Sequence, residues 1–152
     1  VYQDSDTIFT RPITPEDLIV NGKVRWLYTP YSSINSGDGQ TWKEPTSKVM
    51  NMPVPHEFMR RHPLVTPRWA LEEFRKWMWK VHGMSLEQYI MIQPGRSFSE
   101  WNAIGSWLWF YHRDKVIWQN TNEDLGTSYT LQKYSWGGLS DAIRAELEAA
   151  LA

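Results

Sequence analysis

The stretch of residues 66–83 constrains the fold of this chain more than any other, because its two ends and one of its faces all carry helix signals. Thr66 and Pro67 form an N-cap and first-position pair, and Gly83 provides a C-terminal stop after basic side chains. Six apolar side chains between them fall within about 120° of arc, the width of a stripe that packs on a core. These side chains are Ala70, Leu71, Phe74, Trp77, Met78 and Val81. The sequence therefore predicts an amphipathic helix over residues 67–82.

Two tryptophans of this helix, Trp69 and Trp79, lie outside the apolar stripe, among charged side chains. A large ring on a charged face is covered by another part of the chain, by the stems of Arg and Lys, or by a partner. Arg75 and Lys76 precede Trp79 by one turn, a spacing suited to cation–π contact. We expect cover from the chain itself first and from a partner second. The candidate partner-binding residues are Trp69, Arg75, Lys76, Trp79 and Lys80.

The aromatic content of the chain indicates a folded domain. Of its 152 residues, 10 are Trp, 7 are Tyr and 5 are Phe, whereas disordered chains lack such residues. This length fits one domain. We therefore expect an extended N-terminal arm over residues 1–13, where no hydrophobic periodicity is sustained, and a single domain over residues 14–152. The absence of Cys excludes disulfide bonds, thiolate metal sites and cysteine nucleophiles.

Asn21-Gly22, set between apolar segments, predicts a β-hairpin near the N-terminus. Both residues of a two-residue type I′ turn take positive φ, which Asn and Gly tolerate better than other residues. The second strand of this hairpin is expected over residues 23–28, where Val24, Trp26 and Tyr28 alternate with Arg and Leu.

Helix signals follow the central helix at three places. Residues 85–88 have the spacing of a capping box, and residues 97–100 repeat it, so that a further helix is expected to begin near Phe98. Ser140 is suited to cap a last helix, whose apolar stripe is expected to dock on the core or on a neighbouring subunit. That stripe consists of Ile143, Leu147, Ala150 and Leu151.

Three segments rich in aromatic and β-branched residues predict strands, at 107–111, 115–119 and 128–136. A helix that continues through Tyr111 is the alternative for the first of them, because helical spacing also groups Ile104, Leu108 and Tyr111. The predicted fold class is α+β, with an N-terminal β-hairpin, central helices, a three-stranded antiparallel meander and a C-terminal amphipathic helix.

No motif in the sequence indicates catalysis, a metal or a cofactor. His56-Glu57 shares the His-Glu opening of the zinc-protease motif His-Glu-x-x-His, and His62 is the next histidine. Two zinc ligands on a helix need a spacing of four residues, whereas the spacing of six turns His56 and His62 about 240° apart. We expect a polar helix with surface histidines there. Neither a phosphate-binding glycine loop nor a Gly-x-Ser-x-Gly elbow is present. The expectation therefore leans away from an enzyme, with no catalytic residues, metal ligands or cofactors assigned.

Three functional hypotheses follow, in order of preference. The first is a non-enzymatic interaction or structural protein, a subunit of a larger assembly that binds a protein partner or further copies of itself. The second is a single-stranded nucleic-acid-binding module, because residues 60–115 hold nine basic and five acidic side chains together with six Trp. The third is a small carbohydrate-binding or hydrolytic domain, since Trp and Tyr rings also stack on sugars.

The distribution of apolar residues predicts a soluble protein without membrane contact. The longest apolar run, residues 107–111, is far shorter than the roughly 20 residues of a membrane span. No signal peptide is visible. The cellular compartment, the oligomeric state and the identity of the partner stay open at this point.

Overall fold

A computed structural model describes residues 7–9, 12–35, 38–59, 64–123, 130–132 and 140–151 of the chain. In these residues, helices combine with a mixed four-stranded sheet and a two-stranded sheet, which confirms the predicted α+β class. The elements are, in chain order, β1 (Thr7–Phe9), α1 (Pro15–Leu18), β2 (Ile19–Val20), β3 (Lys23–Pro30), α2 (Asp38–Thr41), α3 (Lys43–Met50), β4 (His56–Glu57), α4 (Arg68–His82), α5 (Leu86–Ile92), α6 (Glu100–Tyr111), β5 (Val116–Asn120), β6 (Thr130–Gln132) and α7 (Asp141–Leu151).

Strands β2 and β3 form the hairpin that the sequence predicts. Asn21 and Gly22 connect them with φ values of 51° and 73°, the positive values that a type I′ turn requires. Val20 pairs with Lys23 across the turn, in antiparallel register. The predicted N-terminal hairpin is therefore confirmed.

Strand β3 is the centre of the larger sheet, because it pairs with three other strands. It is antiparallel to β2 and β4, and it runs parallel to β5 from the pair Val24–Val116 to the pair Tyr28–Asn120. Parallel neighbours need a long crossover connection, and residues 31–115, with helices α2 to α6, provide it. The helical region is thus inserted between two adjacent strands.

The predicted antiparallel meander is wrong, because residues 107–111 are the end of helix α6. Trp107 and Leu108 are both buried, whereas Phe110 and Tyr111 are exposed. Two buried residues in succession fit one side of a helix and do not fit the alternation of a strand. Ser99 caps this helix, and burial of residues 102–108 stabilises it through the segment. The alternative prediction, a helix that continues through Tyr111, is therefore confirmed.

The other two predicted strands are partly found, but they do not pair with each other in the described residues. Strand β5 covers the predicted 115–119 segment to within one residue at each end, and it is parallel to β3. Within the predicted 128–136 segment, β6 is antiparallel to β1 of the N-terminal segment. The rest of 128–136, and most of the predicted arm over residues 1–13, lie outside the described residues.

Helix α6 lies at the centre of the core, because its residues from Asn102 to Leu108 are all buried. Helices α3 and α4 pack against it, with Val49 and Phe74 among the buried side chains of the same cluster. Asn102 fixes the segment after β4, since its Oδ1 accepts a hydrogen bond from the backbone N–H of Phe58 at 2.8 Å. The core is therefore built around one helix by elements that are distant in sequence.

The predicted helix starts are correct to within a few residues. Helix α4 begins at Arg68 with Pro67 as its N-cap, one residue later than predicted. The capping box at Ser85 is confirmed, and α6 is capped by Ser99 instead of Ser97. Helix α7 begins after Ser140, whose Oγ accepts a hydrogen bond from the N–H of Ile143 at 3.3 Å.

One helix was not predicted, and one predicted helix is not found in the described residues. Helix α3, with Pro45 in its first turn, had no predicted counterpart. Residues 56–57 form strand β4 and not a polar helix, because they pair with Pro30 and Thr29 of β3. A two-residue strand carries too little periodicity to be distinguished from its neighbours by sequence. His62 lies outside the described residues.

Candidate partner-binding surface

Helix α4 turns its predicted stripe toward the core and leaves the opposite face in solvent. The fully buried members of the stripe are Ala70, Phe74 and Met78. Leu71 and Trp77 are half-buried against the same cluster. Val81, one residue before the end of the helix, is exposed, so the stripe is covered along most of its length.

Trp69 is covered by the chain itself, although it lies off the stripe. Its ring packs against Trp107 at 6.4 Å and His112 at 5.3 Å between centroids. The Nζ atom of Lys115 lies 4.9 Å from the centroid of the Trp69 ring, within cation–π distance. Trp69 and Trp79 are separated by about 15 Å along the helix axis, at 1.5 Å per residue. The structure therefore does not bring the two off-stripe rings together.

Trp79 is the off-stripe ring that remains in solvent, with 59% of its surface exposed. The expected cation–π contact with Arg75 or Lys76 is absent from the described residues. The reason is that both cations are turned toward carboxylates: Arg75 is 2.8 Å from Glu87 and Lys76 is 2.7 Å from Glu73. The Trp79 ring therefore has neither a covering cation nor a packed aromatic neighbour in the described part of the chain.

The charges of α4 are largely balanced by neighbouring acids. The hydrogen bond with Lys76 holds the pKa of Glu73 below its ordinary value, and it raises the pKa of Lys76. Arg68 and Glu72 form a further pair, at 2.9 Å. Lys80 is exposed, and no described residue forms an ion pair with it. Little of the positive charge on this helix is thus unpaired.

Helix α5 carries exposed apolar residues that the sequence analysis did not single out. Its buried side chains are Leu86 and Tyr89. Ile90, Met91 and Ile92 follow with 40%, 82% and 64% of their surfaces exposed. The available signal was a run of three large apolar residues at the end of a two-turn helix, separated by one residue from a Pro-Gly break. Such a helix buries one side only, so some members of the run must face solvent.

The Arg75–Glu87 ion pair joins α4 to α5 at exposed positions of both helices. Trp79 is one turn after Arg75, and residues four apart share a helix face. Ile90 and Met91 are likewise three and four residues after Glu87. We name Arg75, Trp79, Glu87, Ile90 and Met91 the α4–α5 surface. It combines an apolar group with one positive and one negative side chain, both more than half exposed.

Of the three histidines that the structure describes, His56 has the most aromatic rings around it. Its ring centroid is 4.6 Å from that of Tyr28 and 4.3 Å from that of Trp109. Arg113 lies over Trp109, 3.9 Å from the ring centroid. Burial, aided by the charge of Arg113, lowers the pKa of His56. The imidazole packs among these rings as an aromatic group, and no described carboxylate lies against it to make an acid–base pair.

The described residues offer few alternatives to this surface. Across residues 7–9, 12–35, 38–59, 64–123, 130–132 and 140–151, no group of three or more histidine, aspartate or glutamate side chains is arranged to hold a metal ion. None of the helices described is long and apolar enough to cross a membrane. The α4–α5 surface is therefore the feature of the α+β fold that most requires an explanation.

The chain matches no protein-family model, no curated protein and no solved structure in comparisons with known proteins.

Proposed function

We propose that this chain is a non-enzymatic interaction protein that associates through the α4–α5 surface, and that the partner on this surface is a second copy of the chain. The observation that supports the proposal is the exposure of Trp79, Ile90 and Met91 on two helices that the Arg75–Glu87 ion pair joins. Apolar patches of this kind are typical of interaction sites, and Trp is enriched among the residues that dominate binding energy.

The charges of the surface support a second copy as the partner. A two-fold interface buries the same patch on both subunits, so that patch must be complementary to itself. The α4–α5 surface carries one Arg and one Glu beside its apolar residues. In a two-fold arrangement, the Arg75–Glu87 pair of each copy can lie beside that of the other, so that each Arg75 keeps its own Glu87 and also approaches the Glu87 of the second copy. A standard interface uses roughly 20–30 residues a side. The five residues of the α4–α5 surface would therefore form only its centre, with further residues around them.

Single-stranded nucleic acid is the alternative occupant, and the ion pairs of α4 weaken its case. A nucleic-acid platform needs unpaired cations that follow the phosphates. Arg68, Arg75 and Lys76 already pair with glutamates of the same chain or helix. If the alternative were correct, short single strands would change Trp fluorescence at low salt, and Trp79→Ala would weaken that binding.

Sedimentation equilibrium over a concentration series tests the proposal. We expect the mass of the wild-type chain to rise with concentration from 17.9 kDa toward twice that value. The double variant Trp79→Ser/Met91→Ser removes two exposed apolar side chains, and we expect its dimer to dissociate at least about tenfold more readily. Both side chains are largely in solvent, so the far-UV circular dichroism should not change.

Ile19→Ser is the matched control for loss of an exposed apolar residue. Ile19 is 44% exposed, but it lies on β2 and not on the α4–α5 surface. We expect this variant to associate like the wild type. A wild-type chain that stays at the monomer mass at several hundred micromolar, or a control as impaired as the double variant, contradicts the proposal.

A further inference from the structure

A groove of about 310 Å³ opens beside strand β5, on a part of the molecule that the α4–α5 surface does not include. Its volume lies at the lower end of the roughly 300–1,000 Å³ of small-molecule sites. Two aromatic and four polar side chains are among those that line it. They are Tyr28, Trp118, Arg25, Gln119, Asn120 and Glu123.

The chemistry of this lining suits a ligand with both apolar faces and many hydroxyl groups. Tyr28 and Trp118 are half-buried against Trp109, so that the exposed part of each ring is the apolar surface on which the C–H face of a pyranose can stack. The amides of Gln119 and Asn120 both donate and accept hydrogen bonds, and the carboxylate of Glu123 accepts them. Sugar hydroxyl groups, which also donate and accept, are complementary to such a set.

The charge of the lining favours an uncharged ligand. Arg25 and Glu123 contribute one positive and one negative charge, so the groove has no net charge to attract a phosphate chain. A nucleic-acid site would instead carry an excess of cations. Among the described residues that line the groove there is one carboxylate, whereas glycoside hydrolysis typically uses two. The groove therefore suits binding of a neutral saccharide and not its cleavage.

The groove is held in shape by contacts within the chain. Trp118 packs edge-on against Trp109 at 5.0 Å between centroids, and its Nε1 donates a hydrogen bond to the backbone oxygen of Arg113 at 2.9 Å. The amide of Asn120 donates to Glu123 at 3.0 Å. Arg25 approaches Gln119 at the long distance of 3.4 Å. Sites whose side chains are already ordered lose less entropy when a ligand binds.

We propose that this groove is a binding site for a short, neutral saccharide, with Tyr28 and Trp118 as the stacking rings and Gln119, Asn120 and Glu123 as hydrogen-bonding groups. The inference does not depend on self-association through the α4–α5 surface, because the two sites share no residue.

Titration calorimetry with cellotetraose, maltotetraose and N-acetylated chitotetraose tests the site, together with amide NMR on the full chain. We expect at least one of these sugars to bind, and we expect it to shift the side-chain amide resonances of Gln119 and Asn120. Gln119→Ala and Glu123→Gln should each weaken that binding between about twofold and tenfold, the loss of one hydrogen bond. Gln93→Ala and Glu44→Gln, which are outside the groove, should leave it unchanged.

Three outcomes overturn the proposal. The first is the absence of binding by all three sugars at roughly 10 mM, a concentration that would detect a millimolar complex. The second is sugar binding that shifts resonances elsewhere and is insensitive to the groove variants. The third is binding of an oligothymidylate or an extended peptide along β5 in place of any sugar, which would assign the groove to another class of ligand.

Discussion

Gly105 and Phe58 show how a single residue determines the packing around helix α6. A Cβ atom placed on Gly105 would lie 2.5 Å from Cγ and 2.7 Å from Cβ of Phe58. Phe58 is itself buried and is held by the hydrogen bond from its N–H to Asn102. The ring therefore cannot move aside without disturbing the segment that follows β4.

Gly105→Ala is expected to lower the free energy of unfolding by about 1–3 kcal/mol, the typical cost of overpacking a core. This loss opposes the gain of up to about 1 kcal/mol that Ala normally brings to a helix interior. Urea denaturation followed by circular dichroism measures the difference. Gly95→Ala is the control, because nothing lies within 4 Å of the added Cβ there. A stabilised Gly105→Ala variant would show that Phe58 is not packed against this glycine.

His56 makes the free energy of unfolding depend on pH. Burial and then the charge of Arg113 lower its pKa in the folded state, whereas the unfolded chain has the ordinary value of about 6.5. Below that value the unfolded state binds more protons than the folded state, so stability present at neutral pH is lost as the pH falls. We expect the free energy of unfolding to decrease between about pH 7 and about pH 5.

The variant His56→Gln separates this contribution from that of His112, whose pKa is also lowered, chiefly by burial. We expect the variant to have a smaller pH dependence of unfolding than the wild type over the same range. Urea denaturation at several pH values provides the comparison. Equal pH dependence in the two proteins would mean that His56 is protonated as easily in the folded state as in the unfolded one.

The exposure of individual residues was only partly predictable. The angular position of Trp79 places it away from the stripe, and the structure leaves it in solvent. Trp69 lies off the stripe as well, but Trp107 and His112 from a distant part of the chain cover it. The close approach of Phe58 to Gly105 has no local signal, because the two residues are brought together by the fold alone.

Among the helices and strands, the N-cap of α5 most clearly tests whether a sequence motif stabilises the helix that it predicts. The Oγ of Ser85 accepts a hydrogen bond from the N–H of Gln88, and the Gln88 side chain accepts one from the N–H of Ser85. Ser85→Ala removes the first of these bonds and should lower the free energy of unfolding by about 1 kcal/mol. Ser85→Asp keeps an oxygen acceptor and should retain most of the stability.

Chemical denaturation of both variants measures this effect. A loss with Asp as large as that with Ala would mean that Ser85 stabilises the structure by some means other than capping. Helix α5 carries Glu87, Ile90 and Met91 of the α4–α5 surface. Ser85→Ala should therefore also reduce self-association, and more strongly than Gly105→Ala does at an equal loss of stability.

Helices were more predictable than strands because their signals are local. Caps, turns and apolar stripes lie within a few residues of each other, and they located α4, α5 and α7 closely. The pairing of β3 with β5 joins segments on either side of the whole helical region, and no local pattern indicates it. The run at residues 107–111 has strand propensity, but burial against α4 makes it helical, since tertiary contacts override propensity.

At the scale of the whole molecule, a second copy is the expected partner because the α4–α5 surface carries both charge signs. Arg75→Glu gives that surface two acidic side chains, and Glu87→Arg gives it two basic ones. Each variant alone should self-associate more weakly than the wild type, since like charges would face each other across the proposed two-fold axis. An equimolar mixture of the two should form a heterodimer, because opposite charges then meet.

The most direct test is sedimentation equilibrium of the two charge variants, first separately and then mixed. We expect masses near the 17.9 kDa of one chain for each variant alone, and a mass that rises toward twice that value for the mixture at the same total concentration. A mixture that stays as monomeric as its separate components, while the wild type dimerises, would contradict pairing of two copies through the α4–α5 surface.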